Sequence, residues 1–443
     1  MRRLLYPLLA SLSLSFAACS AGTALPTQAT YGPNPQLGPV QKHLIPVLKI
    51  APAQGWPADK RPAAPAGFEV KPFVDGLNHP RWLYVLPNGD VLVAETNGPA
   101  EKPHGLKAWI QDKVMKQAGA GVVSPDRIVL LRDADGDGVA EVKTLFLQGL
   151  HSPFGMTLVG NWLYVANTDA VLRFPYQAGQ TQITAPGQKV LALNALPPDY
   201  HWARNLIAKP DGSKLYVTVG SNSNIGEDGM QNEVGRAAIH EFNPDGTGDR
   251  IFASGTRNPN GLAWEPTTGA LWVTVNERDE LGNDLVPDYM TALKDGAFYG
   301  WPYAYWGSHV DTRVKPQRPD MVAKTIVPDY ALGAHTASLG LAFYTGQIFP
   351  AQYRGGAFIG QHGSWNRNPP SGYKVVYVPF SGGKPSGPAE DFLTGLLSPD
   401  GHAYGRPVGV VVDSRGALLV ADDVGNLVWR VTPTAPQSGV TPQ

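Results

Sequence analysis

A hairpin unit with a polar cluster at each end recurs along this chain and limits what it can fold into. It is clearest between Gly255 and Asp288. There the cluster Arg257-Asn258-Pro259-Asn260 leads into an alternating apolar segment (Leu262, Trp264), a turn at Pro266-Thr267-Thr268-Gly269 and a second segment from Leu271 to Val275. A second cluster, Asn276-Glu277-Arg278-Asp279-Glu280, follows. Period-2 alternation on both sides of a Gly-containing turn reads as a β-hairpin. A hairpin returns to the end it started from, so both clusters fall at one edge of the sheet.

Five more units share this plan. The first runs from His79-Pro80-Arg81-Trp82 through Pro87-Asn88-Gly89 to Glu95-Thr96-Asn97. The second runs from His151-Ser152-Pro153-Phe154-Gly155 to Asn167-Thr168-Asp169, and the third from His201-Trp202-Ala203-Arg204-Asn205 to Gly220-Ser221-Asn222-Ser223-Asn224. The fifth spans His335 to Arg367, and the sixth runs from Arg406-Pro407-Val408-Gly409 to Asp422-Asp423. Units roughly 50 to 90 residues apart are at the long end for propeller blades and leave room for insertions. Further strands are expected at Val171–Phe174, Ala238–Phe242, Val375–Val378 and Leu427–Val431. The reading is all-β: a six-bladed β-propeller from Gly67 to Thr432 with loop insertions, its six pairs of clusters at one mouth of the central channel.

Composition agrees. Gly (50) and Pro (41) exceed a fifth of the 443 residues, and charged residues are only 16%, so turns are dense and the surface lightly charged. A net charge of -1 supplies no basic field for nucleic acid, which excludes that partner class. Met1 to Cys19 reads as a targeting segment: Arg2-Arg3, an apolar stretch from Leu4 to Phe16, then Ala17-Ala18 before Cys19. Phe16-Ala17-Ala18-Cys19 resembles the bacterial lipoprotein box, so the protein is expected to be exported to the periplasm or cell envelope and anchored through lipid on Cys19. Cys19 is the only cysteine, which rules out an intramolecular disulfide. Residues 20–66, rich in Ala, Pro, Gly and Gln, read as a tether, and 433–443 as a tail. Two insertions stand out: Pro103 to Ala118, with a short amphipathic run, and Asp288 to Ser338, dense in aromatics.

Several clusters carry chemistry. His201 at a pocket mouth is a candidate general base, with His79, His151, His335 and His362 as rivals. Arg257, Arg406, Arg204 and Arg367 head or close units at the same rim, and guanidinium forks there suit an anionic ligand. Asp133-Ala134-Asp135-Gly136-Asp137-Gly138 is the first half of a calcium loop, but Thr144 stands where the closing Glu belongs and Glu141 falls short. Glu277-Arg278-Asp279-Glu280 also offers oxygens to calcium, through carboxylates or turned-in carbonyls.

Arg257-Asn258-Pro259-Asn260-Gly261, Tyr299-Gly300-Trp301-Pro302 and the six-unit layout resemble the glucose/sorbosone dehydrogenases. Runs such as HSPFGM, VNERDELGNDLVPDY and GRPVGV followed by LLVADDVGN are closest to the sorbosone dehydrogenase-like members. The resemblance implies a propeller enzyme that uses pyrroloquinoline quinone (PQQ) and calcium to oxidise an aldose or aldehyde sugar, passing electrons to an external acceptor. It implies His201 as base, Arg257, Asn258 and Arg406 on the quinone, and the Arg278-Asp279 region as the calcium loop. Two departures follow. The glucose enzymes place a lysine on the quinone from the fifth blade, where this chain offers Arg367 or His362, and the sixth blade has Val408 where a second arginine would stand. The rival readings are a calcium-dependent lactonase, with Glu95, Asn167, Asn222 and Asp422 around an axial metal, and a non-catalytic carbohydrate-binding propeller.

Overall fold

The structure is a computed structural model, and it describes residues 25–41, 48–100, 113 and 115–434. The targeting segment with Cys19, most of the amphipathic run after Pro103 and the tail from 435 lie outside the described residues. Six antiparallel four-stranded blades follow one another around a channel. The first comprises Pro80–Val85, Val91–Glu95, Arg127–Arg132 and Val142–Leu147, and the second Met156–Val159, Trp162–Ala166, Ala170–Pro175 and Gln188–Ala192. The third is Leu206–Ala208, Leu215–Val219, Ala238–Phe242 and Arg250–Ser254; the fourth is Asn258–Trp264, Leu271–Asn276, Pro287–Ala292 and Tyr330–Ala334. The fifth is Ser338–Phe343, Ala357–Gln361, Lys374–Val378 and Glu390–Leu393. The sixth takes Pro407–Val412, Leu418–Asp422 and Leu427–Pro433 from the end of the chain, and its outer strand, Phe68–Val74, from the beginning. That last pairing closes the ring.

The first strand of each blade is innermost, and these six strands touch in sequence around the axis. Glycines permit the approach. A Cβ on Gly155 would overlap Leu206 N, one on Gly261 would lie 2.5 Å from Leu339 O, one on Gly340 would overlap Val408 O, and one on Gly409 would lie 2.9 Å from Arg81 O. Each gap between blades is filled by its own apolar core, six in all. Every inner strand starts at one mouth and every second strand returns to it, so both polar clusters of each unit stand at that mouth.

Two expectations change. Asp288–Ser338 is not one insertion, because Pro287–Ala292 and Tyr330–Ala334 are the third and fourth strands of the fourth blade. The insertion is 293–329. Its Tyr299, Trp301, Tyr305 and Trp306 are buried as loop core. The described parts of 20–66 form a strap that pairs with the outer strand of the fourth blade at Tyr31–Gly32 and elsewhere docks at the mouth. Leu25 N donates to Asp284 (3.0 Å) and Gln41 N to Leu281 O (2.9 Å). Lys49 N donates to Trp365 O (3.0 Å), Gln54 N to Ala403 O (2.8 Å), and Trp56 Nε1 to Asp422 (2.7 Å). Composition suggested a solvated linker, but these backbone groups find partners on blades four to six.

The core between the fifth and sixth blades joins the two ends of the chain: Phe68 lies edge-on to Phe349 (4.8 Å) and Phe392 (5.2 Å), and Phe392 packs on Phe358 (4.6 Å). Phe358 is fully buried. Phe358→Ala should cost about 3–5 kcal/mol, read as a lower urea midpoint; an unchanged midpoint would contradict this account of the core.

Candidate active site at the channel mouth

His201 lies in the loop entering the third blade. Its Nδ1 is 2.8 Å from Ser221 O, and because a carbonyl only accepts, Nδ1 carries the proton. Nε2 therefore keeps its lone pair, and among the described residues no group bonds it. Burial first, then the charge of Arg257, push the imidazole down to about 3, so it is neutral at physiological pH. A Cβ on Gly220 would sit 2.5 Å from His201 Cβ and 2.8 Å from Asn258 Oδ1, so this glycine is where base and asparagine meet.

A buried ion triad holds the base. Asp199 bonds Nη2 of Arg204 through both oxygens (3.0 Å each), pairs with Arg236, and accepts from Thr168 Oγ1 (2.6 Å). Arg204 donates to His201 O, while Arg236 donates to Gly220 O (2.9 Å) and Ser221 O (3.3 Å). Burial pushes the Asp199 carboxyl up, but the two arginines together outweigh it and hold the group below its usual range. Arg204, expected to face a cofactor, is fully buried with both amino groups engaged and only Nε unpartnered, and it positions the base.

Arg257 is buried at the start of the fourth blade. It donates to Glu277 O (2.7 Å), Asn224 O (3.2 Å), Asn224 Oδ1 (3.0 Å) and Asp279 Oδ2 (2.9 Å). Of five guanidinium N–H groups, one on Nη1 remains. Asp279 also takes Asn366 Nδ2 (2.8 Å) and lies 3.3 Å from His335. Burial raises the Asp279 carboxyl, yet Arg257 and His335 hold it well below the usual range.

On the other side of the mouth, Arg406 donates through Nη2 to Ala51 O (3.1 Å) and Tyr373 Oη (3.3 Å). Its Nε is buried without a partner. Arg81 and His362, 3.3 Å apart, both bond Asp423 Oδ2, at 2.5 Å and 2.8 Å. Arg81 Nε is likewise buried and unpartnered, and the Arg81 guanidinium lies over Trp202, next to His201. Asp423 N reaches Arg406 O at 3.4 Å. A chain of contacts thus runs from Trp202, next to His201, through Arg81, His362 and Asp423 to Arg406, while Asn258, after Arg257, approaches Gly220 on the other side of His201.

Other expected site residues stand apart. Arg367 bonds Asn283 O (2.8 Å), Pro369 O (2.7 Å) and Asp284 (3.0 Å), which ties it to the fourth-blade loop, while His362 is the fifth-blade group in contact with Arg81 and Asp423. His151 is half-exposed and 3.3 Å from Asp169. The Arg278 side chain pairs with Asp311 and donates to Asp279 O (3.0 and 2.7 Å), so that carbonyl is already engaged. Asp133, Asp135 and Asp137 do cluster, with Glu141 reaching back to Ala134 N (2.7 Å), but they lie on the face opposite the mouth, beside Arg415. Two of the four residues of the lactonase reading are engaged elsewhere. Glu95 is held by Arg127, and Asp422 by the indoles of Trp56 and Trp429. Sequence reasoning passed over Arg81, Asp199 and Arg236. The signal for Arg81 was its place in the first blade, alongside Val408-Gly409 where the sixth blade lacks an arginine.

A sequence profile described as TrAA12-like matches residues 62–290 and 310–434. The chain belongs to this family. It is 26% identical over 318 residues to aldose sugar dehydrogenase YliI of Escherichia coli (strain K12), covering 67% of this chain and 79% of that protein. The holo form of the pyranose dehydrogenase PQQ domain from Coprinopsis cinerea superposes with a TM-score of 0.68 at 22% identity, over 87% of this chain and 100% of that one. A calcium structure of Trichoderma reesei carbohydrate-active enzymes family AA12 gives 0.68 at 19% identity, over 87% and 99%. These two likenesses establish the six-bladed fold.

Two outcomes follow. Asp199→Asn removes the charge between two buried arginines and should cost about 3–5 kcal/mol, checked by chemical denaturation; a loss within error of zero would remove the triad from this account. His362, pushed down to about 4 mainly by burial, binds its proton more tightly in the unfolded chain. Its contribution is therefore fully present above pH 6.5 and is lost as pH falls toward 4. The melting temperature of His362→Gln should fall less steeply over that window than that of wild type; parallel curves would refute the assignment.

Proposed function

We propose that this protein is a PQQ-dependent sugar dehydrogenase that oxidises an aldose or aldehyde sugar in the channel mouth, with His201 as base, and hands electrons to an external acceptor. One observation carries the reading: the tautomer of His201, fixed by Ser221 O, leaves an unbonded Nε2 on a ring that feels the charge of Arg257. The names of the relatives support the same chemistry.

The residues present fit the quinone. Arg81 and Arg406 each keep a buried Nε–H with no partner, Asn258 keeps an unpartnered Oδ1, and Arg257 keeps one N–H. The three guanidinium groups would hold the carboxylates of PQQ by charge-assisted bonds, and Asn258 Oδ1 would accept from a ring N–H. When bound there, PQQ supplies the hydride acceptor. His201 Nε2 would take the proton from the sugar hydroxyl, while Ser221 O, accepting from Nδ1, stabilises the imidazolium that forms. An anion beside Arg257 offsets the second cause of the low imidazole pKa, so His201 becomes a stronger base as the pocket fills. Calcium fits less readily. The Arg278-Asp279 loop would hold it only after Asp279 O is released from the Arg278 guanidinium, and no step is assigned to the ion here.

The deciding experiment is titration of the apo-protein with PQQ, with and without added calcium, followed by absorbance on wild type, His201→Ala and Arg257→Ala. Wild type should bind saturably and then reduce an artificial acceptor when given an aldose. His201→Ala should bind the quinone nearly as well but turn over about 100- to 10,000-fold more slowly. Arg257→Ala should weaken binding instead. Absence of saturable binding by wild type under both conditions would defeat the proposal.

A further inference from the structure

We infer that Tyr373 is a positioning residue of the anion site: its ring and its hydroxyl hold the Arg406 guanidinium ready for a carboxylate. The inference rests on the reading of the mouth as a site for an anionic cofactor and is separate from the redox step.

Arg406 is unlike the other arginines around the mouth. Arg81, Arg204, Arg257 and Arg367 each pair with a carboxylate. Arg406 is only 3% exposed, yet among the described residues its guanidinium meets no acid and bonds only Ala51 O and Tyr373 Oη. A charge taken out of water without a counter-ion is unfavourable, so this side chain has an unmet demand for an anion. Both of its bonds leave from Nη2, and Nη1 has no partner among the described residues.

Tyr373 is arranged around that guanidinium. The Arg406 charge lies over its ring, 4.9 Å from the centroid, where the ring quadrupole attracts a cation. The hydroxyl donates to Ser364 O (2.6 Å). Because a carbonyl only accepts, the phenol proton is committed there and a lone pair is left for Arg406 Nη2. Burial raises the phenol above its ordinary pKa, so it is neutral and does not supply the missing negative charge. The ring packs with Ala51, Leu396 and Ala403, an apolar set that a phenylalanine would also satisfy. The hydroxyl is there for its polar partners.

The backbone is bent to this end. Tyr373 has φ 57°, in the left-handed region that bulky side chains avoid. Strain of this kind persists where the surroundings over-determine it, and it gathers at ligand sites. Two glycines make the room: a Cβ on Gly363 would lie 2.4 Å from the Tyr373 ring, and one on Gly372 would lie 2.5 Å from Thr336 O.

The test is a double-mutant cycle on the full chain, read as affinity rather than turnover. The probes are PQQ, followed by absorbance, and benzene-1,3,5-tricarboxylate, a flat tricarboxylate that is not a quinone, followed by calorimetry. Tyr373→Phe keeps the ring and loses the hydroxyl. The ligand must then order Arg406 itself, and Kd should rise about three- to ten-fold. Arg406→Gln should raise Kd as well. Adding Tyr373→Phe to Arg406→Gln should then change it by less than about two-fold, because the phenol acts through the guanidinium. Melting temperatures verify each fold, and a purely structural Tyr373 would lower them without this non-additivity. Equal losses in both backgrounds would overturn the inference, as would an unchanged Kd for either single variant. The expected pattern with the tricarboxylate, but no binding of PQQ, would support the inference while defeating the quinone reading. Binding of neither probe by wild type would defeat both.

Discussion

Asp199 sits between Arg204 and Arg236, and all three are buried. Taking three charges out of water is expensive, and mutual attraction repays the cost only when the remaining donors are also satisfied. Here most of them are, and the acceptors are telling. The spare N–H groups reach the carbonyls of His201, Gly220 and Ser221. Those are the carbonyl of the base, that of the glycine beside it, and the one to which the base donates. A net stabilising role is not needed to explain the triad. It sets the position and tautomer of one imidazole, and the chemistry proposed for the mouth depends on both.

Much of the fold was legible because the propeller writes itself locally. Each hairpin is contiguous, its turn is marked by Gly, Pro or Asn, and the strands expected at Val171–Phe174, Ala238–Phe242, Val375–Val378 and Leu427–Val431 all form, within a residue or two. Even the close packing of inner strands leaves a trace in the glycines of the unit heads, Gly155, Gly261, Gly340 and Gly409. The strap was not legible, because its partners are carbonyls and carboxylates hundreds of residues away, and a Pro- and Ala-rich composition does not distinguish a docked segment from a free one.

The site was legible by position but not by direction. Spacing brings His201, Arg257 and Arg406 to the same mouth, yet it also brings Arg204 and Arg367 there, and nothing in the spacing says which way a guanidinium points. The structure separates them by what they touch: Arg204 and Arg367 each pair with an internal carboxylate, Asp199 and Asp284, whereas the bonds of Arg406 go only to a carbonyl and a phenol, Ala51 O and Tyr373 Oη. Arg81 escaped notice because its relevance comes from the blade beside it, across the seam where the two ends of the chain meet.

That seam also bears on time. Glu69 and Thr432, 363 residues apart, pair across it, so one of the earliest strands to be synthesised waits for nearly the last. Bringing such distant segments together costs about 5 kcal/mol of chain entropy, recovered only when the final strand arrives. The strap waits as well, since its partners belong to blades four to six. A chain still emerging from its ribosome or translocation pore therefore has His201 but lacks Arg406 and the ring that would hold Arg81 beside it. The mouth is therefore complete only when the polypeptide is, and it is the last part of the molecule to mature.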